Sequence, residues 1–432
     1  MHIVDCDLGI QREPFARPFG FKGSYFHEKW NAVVRLTDKT GASAVGVGGL
    51  AVLWSDAAVF AAHTETGGNL LMLSVLEHAL QRVRGTDFAD PPALLEAVLP
   101  EIHEYGKTVT DNRGLRGTFT LNALVALDNA AWLLHARNTG AADFDALIPE
   151  PARAALANRQ TRVAAVPLLS YKLSGNDIKE ILEQGAFFLK IKIGQPGTEQ
   201  DMLEKDIARL TEIHELARRY ETDMTEPGKP LYYLDANGRY RDKDTLARLL
   251  EHAEKNGMLE QVALVEEPFA EELDIDVAQF AVPVAADESL HSVRDLHAKL
   301  GLGYGAIAIK PAGKTLSVAF AMAQAAHAAG VPCYVADNAC VPLLVDWNKN
   351  FAARLPAFPG LKCGILESNG PSSYGNWAEQ LERHPCPTAS WLKPAAGAFT
   401  LEDEFYARSG GIFEEPAFFA RFVQDGDDAL NP

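Results

Sequence analysis

The chain changes its hydrophobic rhythm twice. Residues 1 to about 65 alternate apolar and polar positions in HIVDCDL, WNAVVRLTD and ASAVGVGGLAV, with Asp38, Lys39 and Gly41 clustered at a turn, which predicts an antiparallel meander. From about residue 70 the period becomes helical in LLMLSVLEHALQRV, PALLEAVLPEIHEYG and LNALVALDNAAWLLHARN. The first third therefore reads as an α+β unit. From about residue 163 short apolar runs alternate with helical segments, the pattern of parallel strands joined by crossover helices. Eight strands are predicted: AAVPLLSY, FFLKIKI, LYYLDA, VALVEE, VPVAAD, GAIAIK, PCYVAD and LKCGILES, with helices such as NDIKEILEQ, TLARLLEHAEKN and TLSVAFAMAQAAHAA between them. Eight such units in succession favour a closed (β/α)8 TIM-type barrel, a fold of ~250 residues, over an open doubly wound sheet. The expected fold class is α/β: a barrel over 161–385, an N-terminal α+β domain over 1–160, and a C-terminal segment over 386–432 long enough to pack back on that domain. Its last residues, DGDDALNP, are expected to fray.

Bulk properties narrow the function only by exclusion. At 432 residues with 47% hydrophobic content the chain has ample material for a core, and its formal net charge of -18, without a dense Lys/Arg block, argues against nucleic acid. Small molecules are the expected partners. The start MHIVDCDLGI lacks the basic and apolar pattern of a secretory signal, and runs such as AAWLLHA and GLAVLW fall short of the ~20 residues that cross a bilayer. A cytoplasmic location without membrane association is expected. Cys6, Cys333, Cys340, Cys363 and Cys386 form no Cys-x-x-Cys pair, and their odd number suits a reduced compartment.

The strand endings carry the candidate chemistry. Between Lys190 and Lys310 the endings KIKIG, LDANG, VEEP, ADES and AIAIK supply lysines and carboxylates in the order Lys, Asp, Glu, Asp, Lys. In FFLKIKIG, Phe188, Lys190 and Lys192 share one face of the strand. Two lysines aimed into a packed barrel are costly unless something there needs them. Asp235, Glu266 and Asp287 close consecutive strands at the end where barrel active sites are built. Neighbouring strands lie ~5 Å apart, so these carboxylates either repel or share a cation, and a hard oxygen set suits Mg2+. No Cys/His spacing suggests zinc. Each carboxylate alone also fits a turn or a helix N-cap; three in register do not. The choices between Glu266 and Glu267, and between Asp287 and Glu288, stay open because adjacent residues face opposite ways. Lys310 closes the sixth strand, diametrically opposite the second, so Lys192 and Lys310 are expected to face each other across the mouth. That arrangement suits removal of a proton α to a carboxylate, giving an enediolate. A base of this kind must be tuned down from its ordinary pKa, and Lys190 and the metal are placed to do so to Lys192.

With these residues in place, the chain resembles the enolase superfamily and, within it, the muconate lactonizing enzyme-like subgroup of the mandelate racemase/muconate lactonizing enzyme family. The Lys-x-Lys, Asp, Glu, Asp, Lys order carries the resemblance, LNALVALDNAAWLLHARNTG is similar to the helix leading into that family's barrel, and the first 65 residues resemble its capping meander. The resemblance implies an Mg2+ site at Asp235, Glu266 and Asp287, catalytic Lys192 and Lys310, Lys190 as helper at the substrate carboxylate, and a homo-oligomer. The mandelate racemase branch pairs a strand-seven histidine with a strand-six aspartate; PCYVADNAC and Lys310 depart from both. Enolases proper lack the Lys-x-Lys pair.

Specificity is expected from strand ends outside this set and from the cap: Tyr171 on strand one, Asp337 on strand seven, Glu367 on strand eight, and Lys22 in ARPFGFKGSYFHEK, placed like a mobile loop over the mouth. Asp337 and Glu367 suggest a substrate with an ammonium or hydroxyls, although Glu-Ser-Asn departs from the Asp-x-Asp that family dipeptide epimerases carry on strand eight. PAGKT lacks the upstream glycine of a phosphate loop, since Ala308 stands there, and reads as a helix start; GLGYGA reads as a turn. The expected activity is racemisation or epimerisation of a small carboxylate, possible substrates including amino and hydroxy acids. Dehydration or cycloisomerisation through the same enolate is the enzymatic alternative, and an inactive barrel serving as a binding or scaffold protein the non-enzymatic one.

Overall fold

A computed structural model describes residues 1–21 and 23–424. The N-terminal meander is three antiparallel strands in sequence order, Ile3–Phe21, Ser24–Asp38 and Ser43–Leu50. What the sequence suggests as a loop over the mouth is the tip of the first hairpin, with a register break between Pro14 and Phe19. Alternation along the second strand divides its side chains between two cores: Ala32, Val34 and Leu36 pack with the cap helices, while Val33 packs with Trp132 and the barrel side. Helices Ala57–Val83 and Pro91–Val109 begin at Asp56 and Asp90, whose carboxylates accept backbone N–H groups of the first turn.

Helix Val125–Thr139 lies directly on the third strand, and glycine makes this approach possible. A Cβ on Gly46 would stand 2.3 Å from both the Ala126 carbonyl oxygen and the Ala130 nitrogen. The same helical region ties the cap to the barrel. Asn122 donates to the carbonyls of Gly49 and Gly313, and Asp128 accepts from the backbone N–H groups of Leu316 and Ser317 and from the Ser317 hydroxyl. Asp128 thus caps a barrel helix, Leu316–Ala328, from outside it, where a negative charge is favoured.

The barrel holds the eight predicted strands: Arg162–Val166 continued by Leu168–Leu169, then Phe188–Lys192, Leu231–Asp235, Val262–Glu266, Val284–Ala286, Ala306–Ile309, Cys333–Val335 and Gly364–Glu367. Adjacent strands are parallel, and strand one closes the ring from both sides. It breaks at Pro167: the first half pairs with strand eight and the second with strand two. Beneath the break, Ala398–Thr400 adds antiparallel to the first half, making ten strand segments in one sheet. Inside, Phe188, Tyr233 and Tyr334 fill the space left by Ala285, Ala306 and Ala308 on strands five and six. The chain after residue 385 also reaches the cap, where Phe422 abuts Gly9. DGDDALNP lies outside the described residues.

Gly46→Ala is expected to cost about 2–3 kcal/mol through overpacking against helix backbone, read as a lowered melting temperature; an unchanged curve would contradict the close approach. Burial pushes the Asp128 carboxyl up to about 6 despite its hydrogen bonds. Between its unfolded value near ~3.9 and about 6 the folded protein binds the extra proton, so this group's contribution is full below that window and is lost as pH rises through it. In urea unfolding across that range, the stability difference between the parent and Asp128→Asn should slope on the order of 2–3 kcal/mol; parallel curves would remove Asp128 as the source.

Candidate active site

The strand endings meet at the C-terminal mouth of the barrel. Register places Lys192 beside Asp235 and Asp235 beside Glu266, while Asp287 and Lys310 lie one residue beyond strands five and six. Lys190 is 3% exposed, and its Nζ lies 2.8 Å from Asp235 Oδ2, 2.8 Å from Glu266 Oε1 and 3.0 Å from Glu367 Oε2. Lys192 donates to Asp235 and to the side-chain oxygen of Asn237. At the other end of the row, Lys310 Nζ stands 2.7 Å from Asp287 Oδ2, and Lys314 stands 3.7 Å from Asp287 Oδ1 while donating to the Asp287 carbonyl. Two amines therefore flank a row of three carboxylates.

Electrostatics in this buried row divide by partner. Burial opposes ionisation of Asp235, yet Lys190 and Lys192 overcome it and hold the carboxyl well below its usual range; Lys310 and Lys314 lower Asp287 in the same way. Glu266 goes the other way, raised by burial and by the nearby Asp235 carboxylate. Burial works against the Lys190 and Lys310 ammonium groups, but their carboxylate partners hold both above the ordinary lysine value. A base poised near neutrality is thus not what direct carboxylate pairing produces at Lys310.

Both open choices resolve into shared burial. Glu266 faces the interior, where it meets Lys190 and accepts from the Tyr334 hydroxyl at 2.6 Å. Glu267 turns away with a positive φ of 37° and accepts from the Asp287 N–H and the Ser289 hydroxyl. Glu288 accepts from Asn237 Nδ2. All four carboxylates are buried, because the strands end there and the chain turns instead of alternating.

The chemistry of the donor set fits a divalent cation. Asp235, Glu266, Glu267, Asp287, Glu288, Asp337 and Glu367 supply seven carboxyl groups to the mouth and its walls, against the five amines of Lys29, Lys190, Lys192, Lys310 and Lys314. Burial and Glu288 push Glu267 up to about 8, as expected of a cluster with too few cations. The donors are oxygens, as hard cations prefer. Among the described residues no three carboxylates, histidines or cysteines yet surround one point, because ammonium groups stand between the carboxylates.

Of the residues expected to contact substrate, Asp337 and Glu367 reach the cavity over this row, but their oxygens are engaged. Asp337 accepts from the N–H groups of Cys340 and Asn369; Glu367 takes Lys190, Asn369 Nδ2 and the Asp337 N–H. Tyr171 is not among the cavity-lining residues, and its hydroxyl donates to the Ile193 carbonyl at 2.6 Å. Lys22 lies outside the described residues. Sequence reasoning missed Asn237, Lys314 and Trp54. The first two sat in DANG and PAGKT, which read as turn and helix start, and Trp54 carried no signal at all. Its ring lies 4.7 Å from Lys310 Nζ. With Phe19, Phe21 and Phe26 from the hairpin, it roofs a cavity with about 40 Å3 open to water. A larger groove of about 400 Å3, lined by Arg35, Arg137 and Glu414, involves none of the barrel strand ends.

Residues 175–366 match the enolase C-terminal domain-like family. No curated protein matches the chain. Among solved structures, the fold is similar to a dipeptide epimerase from Enterococcus faecalis V583 complexed with Mg and the dipeptide L-Leu-L-Tyr, with TM-score 0.62 and 18% identity over 87% of this chain and 92% of that one. It is similar to the L-Ala-D/L-Glu epimerase from Bacillus subtilis, with TM-score 0.61 and 20% identity over the same shares. It is also similar to an N-succinyl Arg/Lys racemase from Bacillus cereus ATCC 14579, with TM-score 0.61 and 17% identity over 87% and 89%. At these identities the likeness speaks to fold. Among the described residues no helix is long and apolar enough to cross a membrane.

Lys190→Met is expected to leave three buried carboxylates without their common cation and to destabilise the fold by about 3–5 kcal/mol, measured by urea unfolding. A loss under about 1 kcal/mol, the range of exposed pairs, would show that the charges are compensated elsewhere.

Proposed function

We propose that the chain, whose residues 175–366 match the enolase C-terminal domain-like family, is an enolase-superfamily enzyme that removes the proton α to a substrate carboxylate and returns one to the opposite face, acting as a racemase or epimerase. One observation supports this above all: Lys192 and Lys310 stand at opposite ends of the buried row Asp235, Glu266 and Asp287. Asp235, Glu266 and Asp287 would hold Mg2+, which when bound would supply Lewis-acid stabilisation of the negative charge that develops on the substrate carboxylate.

The chain's own residues do the rest. Released from its carboxylate and in the neutral form, Lys192 takes the α-proton at Nζ while the Lys310 ammonium donates one from the other face; the opposite enantiomer exchanges their roles, with Lys310 released from Asp287 in its turn. Asn237 fixes the Lys192 amine by accepting from it, and the Trp54 face orients Lys310. Lys190 remains an ammonium beside the substrate carboxylate. The aromatic roof excludes water, which would otherwise weaken these interactions. A cytoplasmic location belongs to the same proposal, since the five cysteines are unbridged.

Incubation with chiral α-substituted acids in D2O and Mg2+ should give deuterium uptake at Cα together with loss of optical rotation. Lys192→Ala and Lys310→Ala should each abolish inversion and slow exchange of one enantiomer by about 10²–10⁴-fold, leaving exchange of the other. Full activity in both variants would remove the two lysines as acid and base; loss of water or ring closure without inversion would replace the racemase outcome. Asp235→Asn should lose Mg2+ binding in titration calorimetry, and unchanged affinity would sink its assignment as a ligand.

A further inference from the structure

We propose that the substrate of this site carries an apolar, uncharged α-substituent, an aromatic ring or an alkyl chain, and no ammonium group. The proposal rests on the proton-abstraction function above and specifies what that chemistry acts on. Its first support is the roof. Phe21 and Phe26 are each 8% exposed, the Phe19 and Phe26 rings lie 5.1 Å apart, and Trp54 completes the surface. Leu168, Ala51 and Ala339 extend it down the walls. A group projecting from Cα away from the carboxylate row meets hydrocarbon.

The second support is that the carboxylates able to recognise an ammonium are already engaged. Asp337 holds the turn after strand seven through two backbone N–H groups, and Glu367 is shared by Lys190, Asn369 and the Asp337 N–H. Asp287 is paired with Lys310 and Lys314, and one oxygen of Glu288 accepts from Asn237. Two of the aromatic faces are in use as well: Lys192 lies 5.8 Å from the Phe21 centroid and Lys310 4.7 Å from that of Trp54. A substrate ammonium would therefore have to displace a lysine from its ring or compete with one for a carboxylate it already holds. An alkyl or aryl group gains the roof and gives up no polar contact with water.

The test uses the full chain with Mg2+ and two isosteric hydroxy acids, one with a straight alkyl tail and one whose terminal methyl is replaced by an ammonium. Phenyllactate serves as an aromatic probe. Dissociation constants come from calorimetry and α-deuterium uptake from mass spectrometry. The alkyl acid and phenyllactate should bind at least tenfold more tightly than the ammonium acid, and Phe19→Asp, which places a carboxylate in the roof, should narrow that ratio. Equal or stronger binding of the ammonium acid overturns the proposal, and if that acid also exchanges, the proton-abstraction function stands without it. Preferential binding of the apolar acids without deuterium uptake supports the apolar site and rejects the function. Binding of none of the three overturns the proposal.

Discussion

One ammonium group shared by carboxylates on three barrel strands is the contact around which the mouth is organised. Lys190 rises from strand two and meets Asp235 on strand three, Glu266 on strand four and Glu367 on strand eight. Such a buried charge is tolerated only with its partners in place, since removing one leaves another charge uncompensated. Strand register therefore has to be correct at several positions at once. The aromatic floor beneath serves the same end: Tyr233 places its ring 5.3 Å from Lys190, and Tyr334 donates to Glu266. Packing of these large rings against alanines keeps both hydroxyls near the charged layer.

The cap completes a site that the barrel alone leaves open. Its helices hold the third strand through Asn122 and Asn129 and grip the barrel through Asp128 and Asn122. This anchoring delivers Trp54 over Lys310 and Phe21 over Lys192. The hairpin is itself secured beside the cavity, where Phe15 packs on Phe26 and Tyr374 and Glu13 takes Asn376 and Arg383. Closure of the roof and position of the strand-eight loop are thus mechanically linked.

Much of the fold was legible because barrel strands are short and each apolar run stops where the chain reaches the mouth, so Asp235, Glu266, Asp287 and Lys310 announced themselves by ending a run. The eight strands and the long cap helices followed from period alone. Period could not say what happens after a strand ends. Glu266 and Glu267 do point apart, but alternation gave no sign that both would be buried, which follows from the turn with positive φ at Glu267. Asp337 and Glu367 line the cavity, and their hydrogen bonds run to Cys340, Asn369 and Lys190, partners that strand period does not reveal. Trp54 depends on how cap and barrel dock, a relation between distant segments that no local pattern encodes, and Lys314 reaches Asp287 from the short helix after strand six.

Strand one, interrupted at Pro167, leaves its first half to be paired by Ala398–Thr400 from the far end of the chain. During synthesis the base of the barrel therefore cannot be finished until Ala398–Thr400 has left the ribosome, although the eight strands emerge before it. The nascent barrel carries an unpaired edge at its first strand for that interval, and such an edge invites pairing with a neighbouring chain. Ordering the last step of assembly in this way makes the C-terminal segment a checkpoint on folding, independent of any part the mouth plays in chemistry.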